Sequence, residues 1–399
     1  MVRRSSLTVR PAHFNIPARI TLRAENLETR DALSVTAPAT GSADLGNPVV
    51  TYPGDPSTVT VVPPASTTPA TVTSPSVTDE PLVAQPRERF AVSTGPGSLT
   101  QVNVYDSATN ALIGIINPFG PGYTGGAQVA TADVTGDGVQ DIIVAAGPGS
   151  EPWVEVYDGV TLKEIKSFLA YEPTFTGGVG IAAGDVTGDG RADIVTAAGT
   201  GGGPRINVYS GAALFPDGAA SGPASPSPTE SFFAYDPNFR GGANVAVADV
   251  NGDGFDDIVT GAGPGGGPHV EVFSGKDLGL ITSFFAYDPS FTGGVSVAAG
   301  DLNGDGRVEI VTSPESNGAA EIRVFNLDTA VSTFYAFDSS ERTGARVAVK
   351  DLNGDGDFDL IVSSGPGAAP EVKVLSATGT QIRDFPAMPP DYTDGLFVG

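Results

Sequence analysis

The feature that most constrains this chain is a short acidic turn that returns five times. It reads Asp133-Val-Thr-Gly-Asp-Gly-Val-Gln-Asp141, Asp185-Val-Thr-Gly-Asp-Gly-Arg-Ala-Asp193, Asp249-Val-Asn-Gly-Asp-Gly-Phe-Asp-Asp257, Asp301-Leu-Asn-Gly-Asp-Gly-Arg-Val-Glu309 and Asp351-Leu-Asn-Gly-Asp-Gly-Asp-Phe-Asp359. The first residues are spaced by 52, 64, 52 and 50. A fixed period of about 50 residues marks a repeat architecture, in which each copy buries its apolar surface only against its neighbours.

Around each turn the same short runs recur. A small-residue run such as Val295-Ser-Val-Ala-Ala precedes it, and an apolar run such as Asp257-Ile-Val-Thr follows. A Gly/Pro-rich turn then leads to Val-x-Val, beginning at 102, 154, 206, 270, 322 and 372. An aromatic run closes the copy, as in Phe232-Phe-Ala-Tyr-Asp-Pro and Phe284-Phe-Ala-Tyr-Asp-Pro. Four strand-like runs per period, and no 3.6-residue apolar stripe, make the domain all-β. The long interval holds a Pro/Ser/Ala-rich excursion, 212–229, read as a surface insertion of about a dozen residues. Removing it leaves six units over 88–399. The chain enters the repeat at a second strand, Phe90-Ala-Val-Ser-Thr, and leaves at the start of a first strand, Gly395-Leu-Phe-Val-Gly399. A six-bladed β-propeller of four-stranded blades, closed by pairing of the N- and C-terminal strands, is therefore expected, since closure removes raw sheet edges.

The remainder of the chain reads differently. Residues 1–31 are a basic segment; the first thirty carry six Arg and two Glu, a local +4, whereas the whole chain carries −25. The segment lacks the apolar core of a secretory signal. Residues 32–87 form a Pro/Thr/Ser-rich linker with too little apolar surface to offset ordering entropy, so a disordered stalk is expected.

Composition removes several functions. With no Cys there is no disulfide, thiol catalyst or Cys-zinc site, and two His (His13 and His269) leave little for a triad or a multi-His metal centre. So acidic a chain repels nucleic acid. No run of 18 or more apolar residues spans a membrane. Every clustered carboxylate belongs to a repeated turn, which leaves no pair for glycoside chemistry; no catalytic residue is assigned.

The turns carry the one strong chemical signal. Oxygen side chains stand at positions 1, 3, 5 and 9, with Gly at 6, a donor set suited to Ca²⁺, which takes six to eight oxygens. Position 7 varies in identity, as a ligand acting through its backbone carbonyl would. The expected ligands are Asp133, Thr135, Asp137, Val139 and Asp141; Asp185, Thr187, Asp189, Arg191 and Asp193; Asp249, Asn251, Asp253, Phe255 and Asp257; Asp301, Asn303, Asp305, Arg307 and Glu309; and Asp351, Asn353, Asp355, Asp357 and Asp359. Hairpins with Asx-Gly turns also occur without metal, but clustered carboxylates in five of five copies would repel one another if unneutralised. An EF-hand loop would close with an acid at position 12; here those positions are Val144, Thr196, Thr260, Thr312 and Val362.

The unit Gly294-Val-Ser-Val-Ala-Ala-Gly-Asp-Leu-Asn-Gly-Asp-Gly-Arg-Val-Glu-Ile-Val-Thr312 resembles the FG-GAP/VCBS repeat of integrin-α-like β-propellers, over 88–399. That resemblance implies calcium in the strand 1–2 hairpins on one face and ligand binding mostly by loops of the opposite face. The chain departs from it in having Gly261-Ala-Gly263 where Gly-Ala-Pro is usual, and six units where integrins have seven. Recognition of a particular integrin ligand does not transfer. Leu27-Glu28-Thr29-Arg30 is similar to N-terminal sorting segments of exported bacterial repeat proteins, which implies an extracellular or cell-surface location reached by a non-standard signal.

Two further sets invite a ligand. Tyr171, Tyr235, Tyr287, Phe175, Phe239 and Phe291 recur in the connectors between copies and either stack on sugars or pack between blades; their repetition favours packing. Gln101, Trp153, Arg205, His269, Glu321 and Glu371 precede Val-x-Val and change from copy to copy, as tolerant exposed sites or a specific surface would. The Gly-rich turns at Gly147, Gly199, Gly263 and Gly365 lack the Lys-Ser/Thr and helix of a phosphate loop. The expectation is a non-enzymatic, exported, calcium-binding propeller used for binding or adhesion of an extracellular protein or glycan. A carbohydrate-binding lectin is the alternative, and a polysaccharide lyase a more distant one.

Overall fold

The computed structural model describes residues 88–216, 225–352 and 358–399, together with the backbone of 4–7 and 20–23. The expected linker 32–87 lies outside the described residues. Within the basic start, Arg4–Leu7 pairs antiparallel with Ile20–Arg23, a pairing the sequence reading did not assign.

Residues 88–399 form six four-stranded antiparallel sheets in sequential order. Blade 1 comprises Ala127–Ala132, Asp141–Ala146, Trp153–Tyr157 and Glu164–Leu169. Blade 2 comprises Val179–Gly184, Asp193–Ala198, Arg205–Tyr209 and Glu230–Phe233. Blade 3 runs through Ala243–Ala248, Asp257–Ala262, His269–Phe273 and Leu280–Phe285. Blade 4 holds Val295–Gly300, Glu309–Pro314, Glu321–Asn326 and Thr329–Tyr335. Blade 5 holds Ala345–Lys350, Asp359–Ser364, Glu371–Leu375 and Gln381–Pro386.

Blade 6 is built from both ends of the repeat region, as the sequence required. Leu396–Val398 is its inner strand and pairs with Arg89–Thr94, in the register Leu396↔Thr94, Phe397↔Ser93 and Val398↔Val92. Val102–Asp106 and Leu112–Ile116 complete it. Backbone bonds Ala91 N to Gly399 O (2.8 Å) and Gly399 N to Ala91 O (3.2 Å) finish the junction. Each inner strand packs on the next, and the last on the first, so the ring is closed.

Side-chain type follows depth within the blade. The second strands are buried along their whole length, both faces being covered by adjacent blades, which explains their unbroken Ile/Val character. The third strands of blades 1 and 3 mix buried with half-buried residues, and the fourth strands of blades 3 and 4 have no buried residue. The core lies between blades. Ile143, Val154, Val156 and Phe168 of blade 1, for example, meet Ile194 and Tyr209 of blade 2.

The excursion at 212–229 is more than a surface loop at its start. Gly211–Leu214 is a helical turn capped by Ser210, whose hydroxyl accepts from Ala213 N. It drives Leu214 and Phe215 into the core between blades 1 and 2, where both are fully buried. Residues 217–224 lie outside the described residues. A glycine pair precedes four of the six inner strands, and its second glycine, kept as Gly344 and Gly395 in the other two, has a steric cause. Gly242, at φ +74°, would place a Cβ 2.4 Å from the Gly199 backbone of the preceding blade.

Candidate functional site

The four hairpins 133–141, 185–193, 249–257 and 301–309 are described throughout; in the fifth, Asn353, Asp355 and Asp357 lie outside the described residues. Each joins an inner strand to a second strand, and position 9 is the first residue of the second strand. The position 1 carboxylate curls the turn around itself. Asp249 accepts from Gly252 N (2.8 Å), Asp253 N (3.0 Å) and Gly254 N (2.9 Å), and Asp301 accepts from the equivalent three groups. At position 5, one oxygen of Asp137, Asp189, Asp253 and Asp305 accepts from the position 7 N–H, at 2.8–3.1 Å.

Position 9 is the unusual member. Asp141, Asp193 and Asp257 are completely buried and Glu309 almost so, and none forms an ion pair within the described residues. Their partners are neutral N–H groups. Asp141 takes Val134 N, Thr135 N and Gly159 N, and Asp257 takes Val250 N, Asn251 N and Gly275 N. Burial pushes the carboxyls of Asp141, Asp193 and Asp257 up to about 6, against the opposing pull of these bonds, and the nearby Asp137, Asp189 and Asp249 add repulsion. Glu309 is raised by burial and by Asp305 and Asp301. Position 3 touches position 9: Asn251 Nδ2 donates to Asp257 Oδ1 at 3.2 Å and Asn303 Nδ2 to Glu309 Oε1 at 2.7 Å.

The donor set therefore fits a hard cation in kind: oxygen ligands only, and a buried carboxylate beside further carboxylates with no ion pair among the described residues. In shape the loops are wrapped on their own N–H groups. Among the described residues no group of three or more acidic or imidazole side chains closes on one point.

Two features of these hairpins escaped the sequence reading. Gly159, Gly211 and Gly275, in Tyr-Asp-Gly, Tyr-Ser-Gly and Phe-Ser-Gly, donate the N–H that meets position 9 from the end of the third strand. A Cβ on any of them would lie 2.0–2.1 Å from a backbone carbonyl, so only glycine fits. The side chain at position 7 also reaches beyond its own hairpin. Arg191 lies against Gly136, and Phe255 against Gly188, each reaching the hairpin of the preceding blade. Adjacent hairpins are joined by Asp256 N to Asp185 O (2.9 Å) and Phe358 N to Asp301 O (3.1 Å).

On the opposite face the repeated aromatics pack between blades. Tyr171, Tyr235 and Tyr287 bury their hydroxyls on the next blade, and Phe175, Phe239 and Phe291 set their rings against them at 5.6–6.4 Å. In four of the six blades the variable position before Val-x-Val serves the same seam. Arg205 pairs with Glu172 at 2.6 Å and stacks 4.9 Å over Tyr171. Glu321 pairs with Arg323, which stacks over Tyr287, and Glu371 faces Lys373, which stacks over Phe337. His269 lies between Tyr235 and Phe285 with Nε2 2.8 Å from Ser283 Oγ. Trp153 donates to Glu151 at 3.1 Å.

Residues 133–196 and 249–312 match the family of FG-GAP-like repeats. Residues 88–399 are a six-bladed β-propeller, two stretches of which match such repeats. Among solved structures it is similar to the Dos1 propeller, at 14% identity over 75% of this chain and 68% of that one, TM-score 0.41. It is also similar to the rhamnogalacturonan lyase YesW, at 15% identity over 73% of this chain and 52% of that one, TM-score 0.35. A third likeness is to the Bacillus licheniformis rhamnogalacturonan lyase PL11, at 12% identity over 78% and 68%, TM-score 0.37. The chain spans about half the length of YesW. At these scores the likenesses carry no argument about chemistry.

Proposed function

We propose that the chain is an exported, non-enzymatic binding or adhesion module whose acidic hairpins take up Ca²⁺ as a structural ion. The observation that carries this reading is the buried carboxylate at position 9, repeated at Asp141, Asp193, Asp257 and Glu309 without an ion-pair partner among the described residues. Self-repulsion within each hairpin is relieved by a divalent cation held by positions 1, 3, 5 and 9 and the position 7 carbonyl. An ion bound only by the folded chain adds RT ln(1 + [Ca²⁺]/Kd), about 2.7 kcal/mol at a hundredfold excess. Sites of about 10⁻⁴–10⁻³ M fill outside the cell and stay empty in cytosol, which agrees with the sorting-like Leu27–Arg30 segment. Five ions would bring the formal charge from −25 to −15.

The chain's two His and lack of Cys support a role without catalysis. His269 is held between two aromatic rings, with Glu271 and Ser283 beside it. No described helix is long and apolar enough to cross a membrane. Thermal unfolding with millimolar Ca²⁺ and with chelator tests the reading. A large rise in Tm with the ion, reduced by Asp253→Ala, is expected; coincident curves would remove calcium from the account.

A further inference from the structure

Six residues ring the propeller axis, one from the second position of each inner strand: Gln128, Gly180, Asn244, Ser296, Arg346 and Phe397. Their strand neighbours repeat as Ala and Val, yet these six differ in every blade. Variation by itself does not mark a site, since the residue before Val-x-Val also varies while packing the seams; the charges gathered here do. On the face opposite the acidic hairpins all of them but Ser296 line a cavity of about 180 Å³, walled by Gly-Pro turns such as Gly147-Pro148 and Gly263-Pro264. A second pocket of about 60 Å³, which Ser296 lines, shares Gln128, Asn244, Arg346 and Phe397 with the first.

Two charges meet there, each a departure from the repeat. Arg346 stacks 4.8 Å over Phe397 and makes no ion pair within the described residues. Its Nε and Nη1 are buried without hydrogen-bond partners. Glu315 stands where the other blades carry Gly147, Gly199, Gly263, Gly365 and Gly95. It lines the same cavity and accepts from Asn244 Nδ2 at 2.9 Å; its charge acts on Arg346, but it makes no direct ion pair with it. A guanidinium held in a half-closed cavity without an acceptor is costly. A carboxylate offers the acceptor geometry a guanidinium favours. Glu315 and Asn244 in turn can accept from hydroxyls. The volume matches one six-membered ring, since a cavity of about 150 Å³ takes up benzene. The chain's charge of −25 disfavours a polyanion.

We propose that the axial cavity binds a small hydroxylated carboxylate of one-ring size, a sugar acid, with its carboxylate at Arg346 and its hydroxyls toward Glu315 and Asn244. This rests on the reading of the propeller as a binding module and is independent of calcium in the hairpins on the other face.

Titration calorimetry of the full chain with glucuronate, glucose, acetate and a glucuronate-ended disaccharide tests it. Saturable one-to-one binding of glucuronate is expected, at least tenfold tighter than glucose. Arg346→Gln should lose at least tenfold, and Arg240→Gln, an exposed cation on the same face, should lose nothing. Glu315→Gly restores the residue the other blades carry and should collapse the preference for glucuronate over acetate. Binding of the disaccharide would identify a glycan end as the source, and its exclusion a free acid; either is consistent with the proposal. Absence of saturable uptake, equal affinity for glucose, equal loss in Arg240→Gln, or an unchanged glucuronate-to-acetate ratio in Glu315→Gly would overturn it. Repeating the titration in chelator, below the melting transition, separates its failure from that of the calcium reading.

Discussion

The Tyr287 hydroxyl donates to the Glu321 carbonyl at 2.8 Å and lies 3.0 Å from Thr312 Oγ1, so one side chain in the connector leaving blade 3 is tied to two strands of blade 4. Tyr171 makes the same bonds to Arg205 O and Thr196 Oγ1, and Tyr235 to His269 O and Thr260 Oγ1. Burial pushes all three phenols well above their ordinary range, so they stay protonated and able to donate. Tyr287→Phe keeps the ring and removes the donor from a buried carbonyl. A loss of about 1–3 kcal/mol is expected, read by denaturant unfolding. A stability unchanged within error would mean that the seam is held by ring packing alone.

Glycines at the end of the third strand make a second prediction. Gly275→Ala places a Cβ 2.1 Å from Asp256 O, and the strain falls on the N–H that serves Asp257. Gly265→Ala changes a residue at φ +95° with nothing within 4 Å, so only backbone strain of about 1–2 kcal/mol applies. Gly275→Ala should therefore lower Tm clearly more than Gly265→Ala. The reverse order would show that the hairpin and third strand separate without cost.

Blade number, strand order and the split sixth blade were legible because each leaves a local pattern: Gly-Asp-Gly turns, Ile/Val runs and Gly-Gly pairs at one spacing. The four described hairpins were legible for the same reason, as turns joining first to second strands. What the sequence hid is contact between copies. Arg191 meets Gly136 across 55 residues and Asp256 meets Asp185 across 71, and no window contains both partners. The variable residue before Val-x-Val looked like a candidate surface because its partners differ, Glu172 for Arg205 but Phe285 for His269. Phe215 hid for another reason, since a Pro/Ser/Ala-rich stretch gives no sign that its first turn is folded inward.

That inward turn is testable. Phe215 fills the seam between blades 1 and 2 with Leu214, and its carbonyl accepts from Arg191 Nη1. Phe215→Ala should cost about 3–5 kcal/mol, as for a fully buried aromatic. Deleting 217–224 while keeping the helical turn should cost far less. Equal losses in equilibrium unfolding would place the importance of the excursion in its length and not in this side chain.

His269 provides a pH prediction whose sign is fixed by burial. Its ring faces Tyr235, Phe285 and Ser283, with Glu271 Oε1 3.7 Å from Nδ1, and burial lowers its pKa below the ordinary value of 6.5 despite that carboxylate. A base whose folded pKa is depressed is protonated first in the unfolded chain. Its contribution is therefore complete above 6.5, falls away as pH drops below that value, and levels off once the folded form is also charged. The chain has only two histidines, so the imidazole C2 proton of His269 can be followed separately from that of His13. A titration midpoint below 6.5 is expected, together with a stability gap to His269→Phe that moves in the variant's favour between pH 7 and pH 5. A midpoint at or above 6.5 would mean that Glu271 outweighs desolvation, and the gap would then move the other way.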